Sequence, residues 1–349
     1  MTEKTVAAST SADKAKHRPK GCTSPRALVT GGAGFIGSHL CEELLARGVT
    51  VDVIDDLSTG SLANVQPLLQ NDKFHMVKDS ILDEQTVGLL IERCDVVFHL
   101  AAAVGVELII SDPVRTIETN IRGCEVVLET ANRFNKKVIL ASSSEIYGKS
   151  EDVPFREEDD CVSGATIYSR WSYSCSKMID EFLALAYHRE YGLPIVIVRM
   201  FNTIGPRQTG QYGMVVPRFI RAALRGEPIR VFGSGEQTRC FAHVKEVVQA
   251  LITIAEEPRA VGDVFNIGTD EEITIGDLAK TIKRLTKSDS EIVLVPYEEA
   301  YGQRFDDMKR RVPDLTKIKN VIGYEPTTSL EDILKATIAS IRDELKNGG

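Results

Sequence analysis

The stretch "VTGGAGFIGSHL", residues 29–40, decides the fold. It follows the apolar segment "RALVT" (26–30) and leads into a helical pattern from Ser38 to Arg47. Three glycines spaced Gly-x-x-Gly-x-x-Gly let a backbone turn sharply, approach a pyrophosphate and pack a helix on a sheet, with the helix N-terminus facing the phosphates. A tight turn without a ligand is the simpler interpretation. The alternative is a dinucleotide site with the contacts Gly31, Gly34, Phe35, Ile36 and Gly37.

The second apolar segment, "VTVDVIDD" (49–56), decides between these interpretations. It ends in Asp55, which lies 55 − 37 = 18 residues beyond Gly37. A carboxylate at this position can bind both hydroxyls of a ribose and would repel a 2′-phosphate. We therefore predict a dinucleotide site that binds NAD in preference to NADP.

Short apolar segments alternate with helical patterns through the first 200 residues. This alternation predicts an α/β fold, a doubly wound parallel Rossmann sheet. After residue 200 Gly, Pro and Arg become frequent, which indicates a smaller C-terminal α/β substrate lobe. The predicted division is a disordered tail over 1–25, an NAD-binding Rossmann domain over 26–200 with return segments at about 240–268, and the substrate lobe over 201–349.

Composition excludes several classes of protein. The 349 residues carry a net charge of −8, so the chain lacks the basic footprint of a nucleic-acid-binding protein. The polar start contains no apolar core, which predicts neither a signal peptide nor a membrane anchor. The seven cysteines are scattered without a Cys-x-x-Cys, so we expect no disulfide framework, no metal site and a cytoplasmic location.

The segment "YSRWSYSCSKMIDEF" (168–182) suggests the chemistry. Tyr173 and Lys177 are four residues apart, so both project from one face of a helix. The ammonium group and a positive nicotinamide ring would lower the tyrosine pKa and make Tyr173 a base, while Lys177 also holds the nicotinamide ribose. A solvated Tyr/Lys pair is the simpler alternative, which the dinucleotide turn upstream disfavours.

A second group of candidate catalytic residues lies in "ASSSEIYG" (141–148). This segment ends a predicted strand at the carboxyl edge of the sheet, where doubly wound folds bind ligands. Ser143 could donate a hydrogen bond to a substrate oxygen beside Tyr173, and Glu145 adds a carboxylate to the same cleft. A serine-rich turn with a solvated glutamate is the alternative.

Taken together, these motifs resemble the extended short-chain dehydrogenase/reductase family that acts on nucleotide sugars. The resemblance covers about residues 26–340 and rests on "TGGAGFIG", "IDDLS", "HLAA", "SSSEIYG", Tyr-x-x-x-Lys, "FNTIGPR", "GSGEQTRCFAHV" and "NIGT". It implies tightly held NAD, a nucleotide-sugar-binding second lobe, and a homodimer formed by helices near 114–133 and 172–191. It also implies cofactor contacts from Asp79, Ala101 and Asn120, and diphosphate or nucleotide contacts from Asn202, Arg239 and Arg311.

Two further segments, "RWSYSCSK" and "YGQRFDDMKRRVPDLTK", resemble UDP-glucuronate decarboxylases, as does the pair Ser144 and Glu145. Related 4,6-dehydratases carry Asp where Ser144 stands, and related apiose synthases use cysteines where Val104 and Ser144 stand, so the resemblance disfavours both. The decarboxylases carry Thr/Ser-Pro-x-x-Tyr where this chain has "AAAVGVELIISDP". Three hypotheses follow, all through NAD. We favour decarboxylation of UDP-glucuronate to UDP-xylose or a related pentose through a transient 4-ketone, with UDP-sugar 4-epimerisation as the alternative and a non-catalytic NAD(H) sensor as the third.

Arg170, three residues before Tyr173, leaves a question open. It is a candidate for binding a uronate carboxylate, because guanidinium groups bind carboxylates in a bidentate manner. The alternatives are that Arg170 binds the diphosphate, or that it is a solvated residue at the start of a helix. We favour the carboxylate, because Arg239 and Arg311 are already candidates for the diphosphate.

Overall fold

The computed structural model describes residues 24–210, 213–301 and 306–346. The predicted tail over 1–25 lies, up to residue 23, outside the described residues. In chain order the elements are β1 (Arg26–Thr30), α1 (Phe35–Ala46), β2 (Thr50–Ile54), β3 (Phe74–Val77), α2 (Glu84–Arg93), β4 (Val96–His99), α3 (Val106–Ser111), α4 (Pro113–Phe134), β5 (Lys137–Ser143), α5 (Arg170–Tyr191), β6 (Ile195–Met200), β7 (Thr203–Ile204), α6 (Val215–Arg225), β8 (Ile229–Phe232), β9 (Thr238–Cys240), β10 (Ala242–His243), α7 (Val244–Glu256), β11 (Asp263–Ile267), β12 (Glu272–Thr274), α8 (Ile275–Thr286), β13 (Ile292–Val295), α9 (Tyr297–Tyr301), α10 (Thr316–Ile322) and α11 (Leu330–Lys346).

Seven parallel strands form the central sheet in the order β11-β6-β5-β4-β1-β2-β3. Adjacent residues of β1 show why the strands are continuously apolar. Val29 packs in the core that contains residues of α1 and α7, whereas Leu28 packs in the core that contains residues of α2 and α4. A sheet covered on both faces needs apolar side chains on both. The predicted doubly wound Rossmann sheet is thereby confirmed.

The second lobe has a core of its own, in which Phe219 of α6, Ile229 of β8, Leu278 of α8 and Leu334 of α11 are buried together. Three two-stranded sheets, β10-β7, β12-β9 and β13-β8, belong to this later part of the chain. The chain also returns to the first layer, because β11 pairs with β6 and α7 contacts α1.

The helices α4 and α5, of 22 residues each, pack against one another on one side of the sheet. Their outer surfaces expose Val114, Ile179 and Phe182, with 65%, 46% and 70% of each residue accessible to solvent. Among the described residues, no helix combines the length and the apolar character needed to cross a bilayer.

Candidate active site

A cavity of about 600 Å³ lies between the carboxyl edge of the sheet and the second lobe. The chain passes from β1 to the β3 edge and returns to β4 on the other side of β1, which opens a crevice at this edge. Every predicted site residue except Asn120 lines the cavity. The two lobes therefore contribute to one site.

The glycine turn has the geometry that a dinucleotide needs. Gly31 has a φ of +70°, and a Cβ atom there would lie 3.0 Å from the Ala101 backbone. A Cβ atom on Gly37 would lie 2.2 Å from the Gly31 carbonyl oxygen. The helix α1 begins at Phe35, three residues before the predicted start, and its N-terminus has neither a side-chain cap nor an acidic residue in the first turn. Its free N–H groups fit a pyrophosphate.

Two carboxylates, those of Asp55 and Asp79, also line the cavity. Asp55 follows β2 and accepts hydrogen bonds from the backbone N–H groups of Ala33 (2.9 Å) and Leu57 (2.8 Å). Burial raises the pKa of Asp55, while these two hydrogen bonds act in the opposite direction. Asp79 accepts hydrogen bonds from the Ser80 N–H and the Thr86 hydroxyl, both at 2.8 Å. Both carboxylates are thus held in one orientation by the chain itself, and their contacts with NAD stay a prediction.

Asn120 is hydrogen-bonded to the backbone of the chain and does not itself line the cavity. It sits behind the loop that follows β4, where its amide nitrogen donates to the Ala103 carbonyl (3.2 Å) and its amide oxygen accepts from the Ala103 N–H (2.8 Å). The direct contact of Asn120 with NAD therefore stays a prediction. What the structure shows is a residue that holds the backbone next to Ala101 at the cavity wall.

Tyr173 and Lys177 face the cavity from the first two turns of α5, and 6% and 2% of each residue is exposed. Burial raises the pKa of Tyr173, and the nearby Lys177 charge and Ser143 hydroxyl lower it only in part. In the chain by itself burial thus outweighs the ammonium group, and the predicted lowering, which also includes a positive nicotinamide ring, stays a prediction. Sequence reasoning also missed Asp180, whose carboxylate accepts a hydrogen bond from the Lys177 Nζ at 3.0 Å. Burial disfavours charged Lys177, but Asp180 together with Tyr173 and Cys124 outweighs burial, and the lysine pKa is raised.

Beside Tyr173, Glu145 joins two buried arginines. Its Oε2 lies 2.6 Å from the Arg170 Nη2 and its Oε1 lies 2.5 Å from the Arg311 Nη1. Burial opposes ionisation of Glu145, but the two guanidinium groups outweigh burial and hold its pKa well below the usual range. Arg170 is 4% exposed, which rules out the solvated interpretation of this residue. Glu145 is therefore a carboxylate, and its protonated form is strongly disfavoured.

The second lobe adds a further acidic residue that sequence reasoning missed. Asp307 accepts a hydrogen bond from the Arg239 Nη2 at 3.0 Å, and its other oxygen lies 3.6 Å from the Arg170 Nη2. Asn202 completes the cluster, because its amide oxygen accepts from the Arg311 Nη2 at 2.6 Å. Other cavity residues outside the prediction are Arg218, Tyr297 and Tyr301. Asp307 and Tyr301 lie in the quoted segment "YGQRFDDMKRRVPDLTK", but the resemblance singled out only Arg311 there, and the proximity of the others to the site is seen only in the fold.

A Rossmann turn that faces a Tyr-x-x-x-Lys helix across a cavity, closed by a second lobe, defines an extended short-chain dehydrogenase/reductase. The family profile described as GDP-mannose 4,6 dehydratase matches residues 28–337. The chain is 44% identical over 319 residues to a UDP-N-acetyl-alpha-D-glucosaminuronate decarboxylase of Bacillus cytotoxicus, which covers 91% of this chain and 98% of that protein. It is 35% identical to UDP-glucuronic acid decarboxylase 1 of Xenopus tropicalis, over 92% of this chain and 73% of that protein.

Among solved structures, the chain is similar to the UDP-glucuronic acid 4-epimerase of Bacillus cereus in complex with UDP-glucuronic acid and NAD. The TM-score is 0.82 and the identity 29%, over 91% of this chain and 99% of that one. The chain therefore belongs to the GDP-mannose 4,6 dehydratase family. It is an NAD-dependent nucleotide-sugar enzyme, as the glycine turn and the Tyr/Lys helix predict.

Proposed function

We propose that this enzyme decarboxylates a UDP-linked uronic acid through a transient 4-ketone. The observation that carries the proposal is the pair Arg170 and Arg311, two buried guanidinium groups bridged by Glu145 beside Tyr173. Such a pair fits a substrate carboxylate next to the carbon that reacts. The relatives named as uronate decarboxylases support the same reaction.

The first step oxidises C4 of the sugar. When bound, NAD supplies the hydride chemistry, taking a hydride from C4 and later returning it. Tyr173 accepts the proton of the C4 hydroxyl, and the Ser143 hydroxyl orients the same oxygen. Tyr173 begins this step as a phenolate, which the charged Lys177 paired with Asp180 stabilises, and it becomes the neutral phenol when it takes the proton.

The second step removes carbon dioxide. A ketone at C4 makes the C6 carboxylate a β-keto acid, so the C5–C6 bond breaks and its electron pair enters an enolate across C5 and the C4 oxygen. A proton then adds to C5. Because Arg170 and Arg311 keep Glu145 ionised, Glu145 orients a water molecule as the proton source and does not donate its own proton. The hydroxide left by that water combines with the released carbon dioxide to give bicarbonate. Tyr173 finally returns its proton to the C4 oxygen.

The alternative is 4-epimerisation, in which the ketone turns in the site and is reduced from its other face. The likeness to a UDP-glucuronic acid 4-epimerase supports this candidate, because nearly the same residues perform both reactions. Dehydration stays disfavoured, since Ser144 offers no acid to a leaving hydroxyl.

One incubation separates the candidates. The protein is mixed with UDP-glucuronate or UDP-N-acetylglucosaminuronate, without added reductant, and the products are resolved by mass spectrometry and NMR. We expect loss of one carbon dioxide and a pentose product. Unchanged mass with an inverted C4 would identify an epimerase, and the absence of product from any UDP-sugar would favour an NAD(H) sensor.

We also propose a cytoplasmic homodimer that buries the exposed apolar side of α4 and α5. Val114, Ile179 and Phe182 lie on this side, and covering them would remove apolar surface from water. The predicted location rests on the scattered cysteines. Phe182→Asp should convert a dimer into a monomer in light scattering. A wild-type monomer, or a variant that remains dimeric, would contradict this interface.

A further inference from the structure

Five arginines line the cavity, and the four that remain beside the exposed Arg115 differ in how their charges are balanced. Arg170 and Arg311 pair with Glu145, and Arg239 pairs with Asp307. Arg218 of α6 also lines the cavity, yet it forms no ion pair within the part of the chain that the structure describes. A cation without a carboxylate partner in a closed cavity needs another source of negative charge.

Arg218 is held in one orientation by aromatic rings. The centre of its guanidinium group lies 3.7 Å from the centroid of Phe232 and 5.5 Å from that of Phe219. Its Nε and Nη1 atoms are excluded from solvent and have no hydrogen-bond partner among the described residues. One face of the guanidinium group is therefore covered, and two donors on its edge are left for a ligand.

The surroundings of Arg218 indicate which ligand group it binds. Tyr173 and Arg170 belong to α5 of the first lobe. Arg218 belongs to α6 and stacks on Phe232 of β8, both in the second lobe. Among the described residues Arg218 forms neither a hydrogen bond nor an ion pair with Glu145 or Asp307, so it is not part of the carboxylate cluster beside Tyr173. A nucleotide-diphosphate uronate carries only one other anionic group, the diphosphate.

We propose that Arg218 binds the substrate diphosphate together with Arg239. Arg239 shares its charge with Asp307 at 3.0 Å, so it balances the two negative charges of a diphosphate only in part. Arg218 supplies a second cation, which forms no ion pair with a carboxylate of the described residues. This inference rests on the proposed nucleotide-diphosphate substrate and adds a residue that discriminates UDP from UMP and uridine.

Calorimetric titration of UDP, UMP and uridine into wild type and Arg218→Gln tests the inference. We expect the variant to bind UDP about 10- to 100-fold more weakly and UMP less affected, with uridine changed by less than about twofold. The loss should shrink at high salt, because screening weakens the wild-type contact. Equal losses for uridine and UDP would overturn the inference by showing a contact with the nucleoside. Unchanged UDP binding would overturn it by showing a structural cation.

Arg221→Gln is the matched control, because Arg221 lies on the same helix and pairs with Glu344 at 2.6 Å, away from the cavity. UDP binding should not change in this variant. If Arg218→Gln does not fold, Arg218→Lys replaces it. We expect Arg218→Lys to bind UDP about 3- to 10-fold more weakly, and this weakening must again exceed the weakening of uridine binding. UDP binding does not depend on the sugar reaction. A selective loss of UDP binding without decarboxylation would therefore reject the proposed function only, and decarboxylation with unchanged UDP binding would reject this inference only.

Discussion

One buried arginine outside the cavity, Arg199, differs in its hydrogen bonding from three arginines that line the cavity. Arg199 of β6 donates from Nε and Nη2 to the Glu181 carboxylate at 3.0 and 2.8 Å. Its Nη1 donates to the Tyr147 hydroxyl at 3.0 Å and to the Glu157 carbonyl at 2.9 Å. By contrast, the Nε atoms of Arg170, Arg218 and Arg311 are buried without a partner among the described residues.

This difference separates a structural site from a functional one. Buried polar atoms are nearly always hydrogen-bonded, so donors that the chain itself leaves unpaired beside a cavity point to a ligand-binding site. Arg199 does not line the cavity, and its partners connect β6 to the helix that carries Tyr173. Arg170, Arg218 and Arg311 all line the cavity. We therefore expect substitutions at the first site to change stability and those at the second to change binding or turnover.

The largest effect is expected at the base. Tyr173→Phe keeps the ring and removes the proton acceptor, so turnover should fall by about 10²–10⁴-fold while UDP affinity and unfolding change little. Product formation with UDP-uronate measures the loss. Tyr191→Phe is the control, since Tyr191 lies on the same helix and is 63% exposed. Near-normal turnover of the Tyr173 variant would show that another group is the base.

The structural arginine comes next. Arg199→Met leaves Glu181 as an unpaired buried charge, so the free energy of unfolding should fall by about 3–5 kcal/mol in urea. Arg170→Met leaves Glu145 paired with Arg311, so the free energy of unfolding of this variant should fall by less than about 1 kcal/mol. Equal losses of unfolding free energy in the two variants would contradict the assignment of Arg199 to a structural site and Arg170 to a functional one.

Arg170 should instead matter for substrate choice. If it binds the uronate carboxylate, Arg170→Ala should weaken UDP-glucuronate by about 2–5 kcal/mol and UDP-glucose far less. Calorimetry with both ligands measures the difference. Equal weakening would assign Arg170 to the diphosphate, which both ligands share.

A smaller effect is expected from pH, through His99 at the end of β4. Burial, with the Lys177 charge as a minor cause, lowers the pKa of His99 to about 3, and its Nδ1 lies 2.8 Å from the Thr30 hydroxyl. The unfolded chain binds this proton below about 6.5, so stability is complete above that pH and is lost as the pH falls towards 3. Between pH 7 and pH 5 the loss from His99 should be about 2 kcal/mol. His99→Gln should flatten the unfolding curve over this interval, and an unchanged slope would show that His99 is charged in the folded state.

The sequence predicted the half of the site that is made of local patterns. The glycine turn, Asp55 and the Tyr173/Lys177 pair each depend on spacing within one strand–helix unit, and spacing can be read along a chain. Glu145 and Arg311 are 166 residues apart, so their ion pair depends on how the lobes pack.

One missed residue, Asp180, has a local pattern that could have revealed it, because it follows Lys177 by three residues on the same helix. Two others lack such spacing. Asp307 lies in an irregular segment, and Arg218 appears in the sequence as one more polar residue of an amphipathic helix. Asn120 is a different case. The family resemblance implied a cofactor contact, which stays a prediction, and the structure shows its side chain hydrogen-bonded to the Ala103 backbone.

The most direct test of the account follows the C6 carbon. UDP-glucuronate and UDP-N-acetylglucosaminuronate labelled with ¹³C at C6 are incubated with the wild-type enzyme, and the label is followed by NMR. The account predicts that the label leaves the sugar as carbon dioxide or bicarbonate and that an unlabelled UDP-pentose accumulates with at least one of the two substrates. Label that remains at C6 of a sugar with inverted C4 would contradict decarboxylation and identify a uronate epimerase.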